Sequence, residues 1–312
     1  MEVLITGGAG YIGANVVERL IDNEKVQCVT VYDNFSTKNF SILTLLNNEN
    51  SHKLKVINSD ILDNTSLSES IQCADVIIHL AAVCRTPFND ENPQYFDQVN
   101  HWGTAALVGE IERQKTPKRV LFVSSGSVYG RTNSEASTHT VPHPVTSYAK
   151  SKLAAENQIE RLSRRHYVSV FRFGNVFGFG RAMRFDAVIN KFFLDCIFKK
   201  PLKIEGDGNQ LRPFVPLQAA VSMIESFLMD EKLIGLFNIN THNWSVNDIV
   251  DGYKTIFDDI EVINVNQNES LGCLAMKPSE IIVASQSSFM EERLVFFLKE
   301  MSTQFKQFGM SY

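Results

Sequence analysis

Gly7-Gly8-Ala9-Gly10-Tyr11-Ile12-Gly13 follows the apolar run Val3-Leu4-Ile5-Thr6 and runs on into Ala14-Asn15-Val16-Val17-Glu18-Arg19-Leu20. A short apolar run, a glycine-rich turn and an amphipathic stretch read as strand, tight turn and helix. Glycine at 7, 10 and 13 lets the turn close tightly and lets the backbone N–H groups of Gly7, Gly10, Tyr11, Ile12 and Gly13 approach a pyrophosphate. The N-terminus of the helix that follows then stabilises the negative charge. Glycine-rich turns also occur merely to reverse a chain, so the surroundings decide the matter. The next apolar run ends Val31-Tyr32-Asp33-Asn34. That puts an acid about twenty residues past the last glycine, where a carboxylate accepts hydrogen bonds from the adenosine ribose. The same charge repels a 2′-phosphate, so the expected cofactor is NAD rather than NADP.

Working outward, Val26-Asp33, Leu54-Ser59, Asp75-Leu80, Arg119-Ser124 and Tyr167-Phe173 read as further strands. They are apolar in runs, as expected of a parallel sheet covered by helices on both faces. The alternation predicts a Rossmann-like, doubly wound α/β fold with a smaller C-terminal substrate lobe. The expected division is a nucleotide-binding domain over 1-174, joined by about 212-243, with 175-211 and 244-312 forming the lobe. Two helices are expected to be long, from about Pro93 through Arg113 and from Ser147 to about Arg165, the second capped by Thr146 or Ser147. A further helix is expected around Phe185-Phe198, and a turn at Gly206-Asp207-Gly208. Where later strands end, Asp60-Ile61 are candidates for the adenine amino group, and the small residues of Leu80-Ala81-Ala82 for close passage of the cofactor. Taken alone, either segment is better explained by strand-end packing.

Tyr148 and Lys152 stand four residues apart, which on a helix places them on one face. Tyr-x-x-x-Lys is a common accident, but this one follows the strand that delivers Ser124-Ser125-Gly126-Ser127-Val128-Tyr129 to the sheet edge where the nicotinamide belongs. The trio suits oxidation of a hydroxyl. A base takes the O–H proton while hydride leaves carbon, and a phenol of reference pKa near 10 needs a neighbouring cation to serve. Lys152 is the expected cation, Tyr148 the acid/base, and Ser125 the hydroxyl that holds the substrate oxygen, with Tyr148 and Lys152 also expected to bind the cofactor.

Composition excludes several other classes. The 312 residues are 44% hydrophobic and 21% charged with a formal net charge of −5, and no basic run offers a footprint for nucleic acid. No apolar stretch approaches membrane-spanning length and no leader-like N-terminus is evident, so a cytoplasmic protein off the membrane is expected. The five cysteines (28, 73, 84, 196, 273) form no CxxC pair, and the seven histidines have no ligand spacing; neither disulfide nor metal site is expected.

Taken together, ITGGAGYIG, VYDNFS, HLAA, VNHWGT, FVSSGSVYG, SYAKSKLAAE, FRFGNVFG, EGDGNQLRPFV and FNINTHNWSV resemble the extended short-chain dehydrogenase/reductases, the NAD-dependent epimerase/dehydratase family, and most of all its UDP-glucose 4-epimerase-type members. The resemblance implies a nucleotide-diphosphate sugar as substrate, Ser125 as the catalytic hydroxyl, Asn100 in support of the active site beside the cofactor, and Asn175 and Arg212 facing the diphosphate. It also implies a homodimer through the helices near 93-113 and 147-165. Family dehydratases carry Asp-Glu directly after the catalytic hydroxyl residue, and the decarboxylases a Glu where Ser127 stands. Gly126-Ser127 therefore points to 4-epimerisation through a transient 4-keto sugar. A net nucleotide-sugar dehydrogenase or ketoreductase uses the same trio, and a non-catalytic NAD-binding sensor or scaffold would keep the fold. The family's second, C-terminal Arg for the diphosphate has only Arg293 as a counterpart, on the expected last helix. Lys191, Arg181 or Arg184 are candidates to compensate, and Arg85 is a further candidate substrate contact.

Overall fold

The computed structural model describes residues 1–84, 92–266 and 272–307. The strands are β1 (Glu2–Thr6), β2 (Cys28–Asp33), β3 (Leu54–Asn58), β4 (Val76–His79), β5 (Arg119–Ser125), β6 (Tyr167–Phe173), β7 (Asn175–Phe177), β8 (Leu202–Glu205), β9 (Leu211–Pro216), β10 (Gly235–Ile239), β11 (His242–Ser245) and β12 (Val262–Val265). The α-helices are α1 (Tyr11–Ile21), α2 (Asn64–Cys73), α3 (Pro93–Phe96), α4 (Gly103–Glu112), α5 (Ser147–Glu160), α6 (Val188–Ile197), α7 (Leu217–Met229), α8 (Val246–Lys254), α9 (Glu280–Ser285), α10 (Ser287–Glu291) and α11 (Leu294–Gln307).

The main sheet has seven strands in the order β10-β6-β5-β4-β1-β2-β3, and every pairing in it is parallel. Successive side chains of a strand point to opposite faces, and both faces here are apolar. Val3 and Ile5, Val76 and Ile78, and Leu121 and Val123 enter one core with α1 and α7. Leu4, Ile77, Val120 and Phe122 enter the other with α2, α4 and α5. The fold is therefore a doubly wound α/β sheet. The chain leaves β1 toward β2 on one side and reaches β4 on the other, so the loops at the carboxyl ends of β1 and β4 diverge and open a crevice between them.

Two smaller sheets lie beyond it. Strands β11-β9-β7 form one, with β9 antiparallel to β11 and parallel to β7, and β12 pairs with β8 in the other. They enclose an aromatic-rich core that includes Phe177, Phe192, Phe193, Phe214, Tyr253, Phe297 and Phe305.

Several elements differ from the sequence reading. The second strand begins at Cys28, because Val26 N–H is turned back to the carbonyl of Asn23. The helix expected over 93-113 is interrupted by a π segment, Asp97–Trp102, in which Gly103 N–H reaches the carbonyl of Gln98, five residues back. Thr146 caps α5, its side chain accepting from Ala149 N–H at 3.1 Å, and the last turn of that helix tightens to 3₁₀ over Arg161–Arg164. α6 starts at Val188 because the preceding residues are tied up otherwise: Arg184 pairs with Asp186, its carbonyl accepts from Asn190, and Ala187 is extended. Arg293 is exposed and stands one residue before α11 rather than on it. Among the described residues, no helix is long and apolar enough to cross a membrane, and no cluster of three or more His, Cys, Asp or Glu could hold a metal.

Candidate active site

The glycine turn sits at the carboxyl end of β1, in the crevice. Gly7 has φ +73°, and a Cβ there would stand 2.5 Å from Ala81 N; one on Gly13 would stand 2.3 Å from the carbonyl oxygen of Gly7. The turn is thus packed to backbone contact against the end of β4 and the start of α1. Gly10 caps α1 in an extended conformation with no side-chain hydrogen bond to the first turn. The helix dipole and unpaired amides of that first turn are left available to an anion. Asp33 closes β2 beside the turn, its carboxylate accepting from Ala9 N–H at 3.0 Å and Phe35 N–H at 2.8 Å. Burial pushes this carboxyl up, and the two backbone bonds oppose the shift. A cradle without Cβ atoms, an open helix N-terminus and a carboxylate at the end of β2 fit a dinucleotide carrying ribose hydroxyls.

The other nucleotide candidates divide. Asn34 donates to the Asp60 carboxylate at 2.8 Å, which keeps both at the crevice edge. Ile61 is buried in the core beneath Gly103, where a Cβ on that glycine would meet Ile61 Cγ2 at 2.6 Å, so its side chain faces α4. Tyr11 likewise turns inward, its hydroxyl donating to the carbonyl of Gly178 at 2.5 Å, so Tyr11 and Ile12 can offer a ligand their backbone amides. Leu80, Ala81 and Ala82 follow β4 directly, and Ala81 is the backbone that Gly7 touches.

Ser125, Tyr148 and Lys152 come together where β5 and α5 meet. Ser127 donates to Ser125 Oγ through its backbone N–H (3.2 Å) and hydroxyl (2.9 Å), and the Ser125 hydroxyl lies beside the Tyr148 phenol. Ser124 turns inward instead and donates to Glu156 at 2.5 Å. Burial drives the Tyr148 phenol well above its ordinary value, the nearby Cys84 thiol adds to this, and Arg184 and Ser125 oppose it. Lys152 Nζ lies over the Phe122 ring, 4.3 Å from its centroid. Burial lowers Lys152 to about 8, with Cys84 and Glu156 pulling the other way. Arg184 is thus a cation beside Tyr148 that the sequence reading had not placed there. Helix α5 is fastened to the sheet by a buried, two-bond pair between Arg172 and Glu156 (3.0 and 2.6 Å), and the Arg172 guanidinium sits 4.7 Å from the Tyr129 ring centroid. Asn100 is fully buried on the π segment and does not open to the crevice: it accepts from Val83 N–H (2.7 Å) and donates to Val83 O and Ser151 Oγ (3.0 Å each).

At the substrate end, Asn175 Nδ2 donates to the carbonyl of Pro213 at 3.1 Å, and Arg212 donates to the carbonyls of Leu211 and Gly272 (2.7 and 2.8 Å). Arg131 lies on the same glycine: its Cδ is 2.4 Å from where a Gly272 Cβ would stand, and its charge acts on Arg212. The sequence reading missed Arg131, although it stands two residues past Tyr129 in a segment already singled out. Of the compensating cations, Arg181 pairs with Glu18 and Lys191 with Asp195, leaving them committed elsewhere. Arg184 pairs with Asp186 but also reaches Cys84 Sγ at 2.9 Å, beside Tyr148. Arg85 lies outside the described residues.

Comparison with known proteins agrees with this geometry. The model of the family described as "NAD dependent epimerase/dehydratase family" matches residues 3–232. A Methanocaldococcus jannaschii protein named "Putative UDP-glucose 4-epimerase" is 33% identical over 219 residues, 68% of each chain. The UDP-N-acetyl-alpha-D-glucosaminuronate decarboxylase of Bacillus cytotoxicus is 29% identical over 250 residues, 77% of this chain and 75% of that protein. The crystal structure of UDP-glucuronic acid 4-epimerase from Bacillus cereus, in complex with UDP-glucuronic acid and NAD, superposes with a TM-score of 0.85 at 24% identity, covering 99% of this chain and 100% of that one, a likeness of fold. With the glycine cradle, Asp33 and the family match over more than half its length, this chain belongs to the NAD dependent epimerase/dehydratase family and takes NAD as its cofactor.

Proposed function

We propose that this protein is a nucleotide-sugar 4-epimerase in which Tyr148 exchanges a proton with the 4-hydroxyl of the sugar. The observation that carries the reading is at Gly126. Gly126 offers no side chain, and a Cβ there would stand 2.0 Å from the sulfur of the fully buried Met276, so the acid that an elimination across the sugar ring requires is missing next to Ser125 and could enter only by displacing that methionine. Ser127 spends its hydroxyl on Ser125 and is no acid either. What remains is a hydroxyl and a phenol able to handle one proton.

NAD, when bound, accepts the C4 hydride and gives it back. Ser125 holds the sugar oxygen within reach of the Tyr148 hydroxyl, which takes the proton as the 4-keto sugar forms and returns it after the sugar has turned its other face. The burial of Tyr148 keeps that proton away from bulk water between the two halves of the reaction. Arg131 and Arg212, both against Gly272, are the cations suited to the diphosphate, which must stay anchored while the sugar turns.

The test is to denature the purified protein, identify the released nucleotide, and then screen UDP-, GDP-, CDP- and dTDP-sugars. One NAD per chain with mass-neutral isomer formation is expected. Stoichiometric growth or loss of the NADH absorption band would instead make it a net oxidoreductase, and no turnover on any of them would favour a non-catalytic binder. For Arg131→Gln, the expected outcome is a KM for the nucleotide sugar raised about tenfold or more with kcat nearly unchanged. A charge-assisted hydrogen bond is worth about 1.5–3 kcal/mol, and a diphosphate contact is the same in ground and transition states. A fall in kcat at constant KM would remove Arg131 from this role.

A further inference from the structure

His79, at the end of β4, is 1% exposed and both of its ring nitrogens are hydrogen-bonded. Its Nδ1 is 2.6 Å from Thr6 Oγ1, and its Nε2 is 2.8 Å from Thr104 Oγ1. The proton inventory of this group has one solution. The Thr104 hydroxyl donates to the carbonyl of Asn100 at 2.6 Å. Having a single proton, it must accept from His79, which puts the imidazole proton on Nε2. Nδ1 is then an acceptor, so the Thr6 hydroxyl donates to it, and Thr6 Oγ1 is left to accept from Ala81 N–H, 3.4 Å away. The chain of bonds runs in one direction from Ala81, against the glycine turn, through Thr6, His79 and Thr104 to Asn100 on the π segment. From Asn100 it continues by the side chain to Ser151, whose hydroxyl donates to the carbonyl of Tyr148 at 2.8 Å.

We propose that His79 is a positioning residue, held as the neutral Nε2–H tautomer, that fixes the π segment and thereby sets Tyr148 and Lys152 against the glycine turn. The inference rests on Tyr148 being the acid/base. The π segment is where such control is needed. Its wide turn departs from the regular i to i−4 ladder, and the Thr104 hydroxyl gives the Asn100 carbonyl a donor there. Asn100 in turn grips Val83 by both its N–H and its carbonyl, in the loop leading to Cys84. A protonated ring would put a donor on each nitrogen and leave the Thr6 proton without an acceptor. Burial and the Lys152 charge oppose protonation as well, lowering His79 to about 3. The ring also stacks on Phe122 at 5.5 Å between centroids, and Phe122 is the seat of the Lys152 ammonium.

The test has two arms. In protein labelled with ¹⁵N-histidine, His79 is expected to show a bare Nδ1 and a protonated Nε2 at neutral pH; an Nδ1–H tautomer or a doubly protonated ring overturns the proposal whatever the substrate proves to be. In kinetics, His79→Phe keeps the ring shape and removes both bonds. It should lower kcat about 10- to 100-fold with KM for the sugar nucleotide within about twofold. His79→Gln, whose amide can still donate to Thr104, should recover most of that loss. Equal losses in the two variants, or an unchanged kcat in both, mean that the residue serves stability alone. If His79→Phe does not fold, Thr104→Val at constant shape removes the Nε2 acceptor together with the donor to the Asn100 carbonyl, so the relay is cut at the π segment itself and kcat should fall in the same way. A wild-type tautomer as expected, together with no epimerase activity, would place the error in the epimerase reading and not in the bonding of His79.

Discussion

Tyr148→Phe is expected to retain its NAD, keep its fold and lose turnover by about 10²–10⁴-fold, the range a positioned acid/base contributes. The substitution removes one oxygen. The ring keeps its edge contact with Phe96, 6.1 Å between centroids, and the backbone carbonyl of Tyr148 keeps the Ser151 bond. Ser125 still accepts both bonds from Ser127. The glycine turn and Asp33, which fit the pyrophosphate and the adenosine ribose, are untouched by the change, so bound NAD per chain should match the wild type. KM for the sugar nucleotide should move little, because the proton is transferred in the transition state and not in binding. A variant with an unchanged rate would remove Tyr148 as the acid/base. A variant that had lost its NAD would show that the phenol holds the nucleotide. The surroundings of Tyr148 make the size of the effect a demanding test. Burial and Cys84 raise the phenol, so its use as a base depends on nearby cations, of which Arg184 already acts on it.

The sequence was most legible where local chemistry and tertiary structure impose the same demand. Val3-Leu4-Ile5 has to be apolar on both sides because the sheet is covered on both sides, and the glycines after it have to be small because Ala81 and Gly8 lie against them. Such residues announce themselves. The π segment does not: one extra residue in a turn leaves the amphipathic spacing of Pro93 to Arg113 almost intact, so periodicity reads one continuous helix. The convergences at the site were beyond reach for a different reason. Cys84 meets Arg184 across a separation of 100 residues, and Arg131 meets Arg212 only through the glycine at 272, none of which has a local pattern to betray it. His79 was visible inside HLAA and Thr104 inside VNHWGT, but a buried histidine between two hydroxyls is a property of the folded sheet alone. The burial of the Ile61 side chain escaped the sequence reading for the same reason. Its place after β3 was readable, whereas its burial against Gly103 depends on how α4 docks.

The glycines of the turn should separate into two classes that sequence spacing treats as one. Gly7→Ala forces a side chain into φ +73° with its Cβ 2.5 Å from the Ala81 backbone, and Gly13→Ala sets one 2.3 Å from the carbonyl of Gly7 and 2.7 Å from Gly8 Cα. Backbone cannot move aside as a flexible side chain can. Either change should therefore open the β1–α1 joint and lower thermal stability by several degrees or prevent folding, the left-handed conformation alone costing about 1–2 kcal/mol at Gly7. Gly10 differs. It has ordinary extended geometry, φ −75°, and the nearest atom to its Cβ is the carbonyl oxygen of Gly7 at 3.2 Å. As an N-cap, glycine loses about 1 kcal/mol or less on replacement by alanine, so Gly10→Ala should fold with Tm within about 2–4 °C of the wild type. Its methyl would instead stand at the open mouth of α1, where a pyrophosphate must come close to the amides. NAD affinity should accordingly fall about tenfold or more, equivalent to about 1.4 kcal/mol, in a protein that is otherwise intact. Thermal melts and the NAD released on denaturation measure the two effects separately. Loss of fold in Gly10→Ala, or a stable Gly13→Ala that has merely lost NAD, would contradict this division, because the first class is defined by backbone packing and the second by the space the cofactor needs.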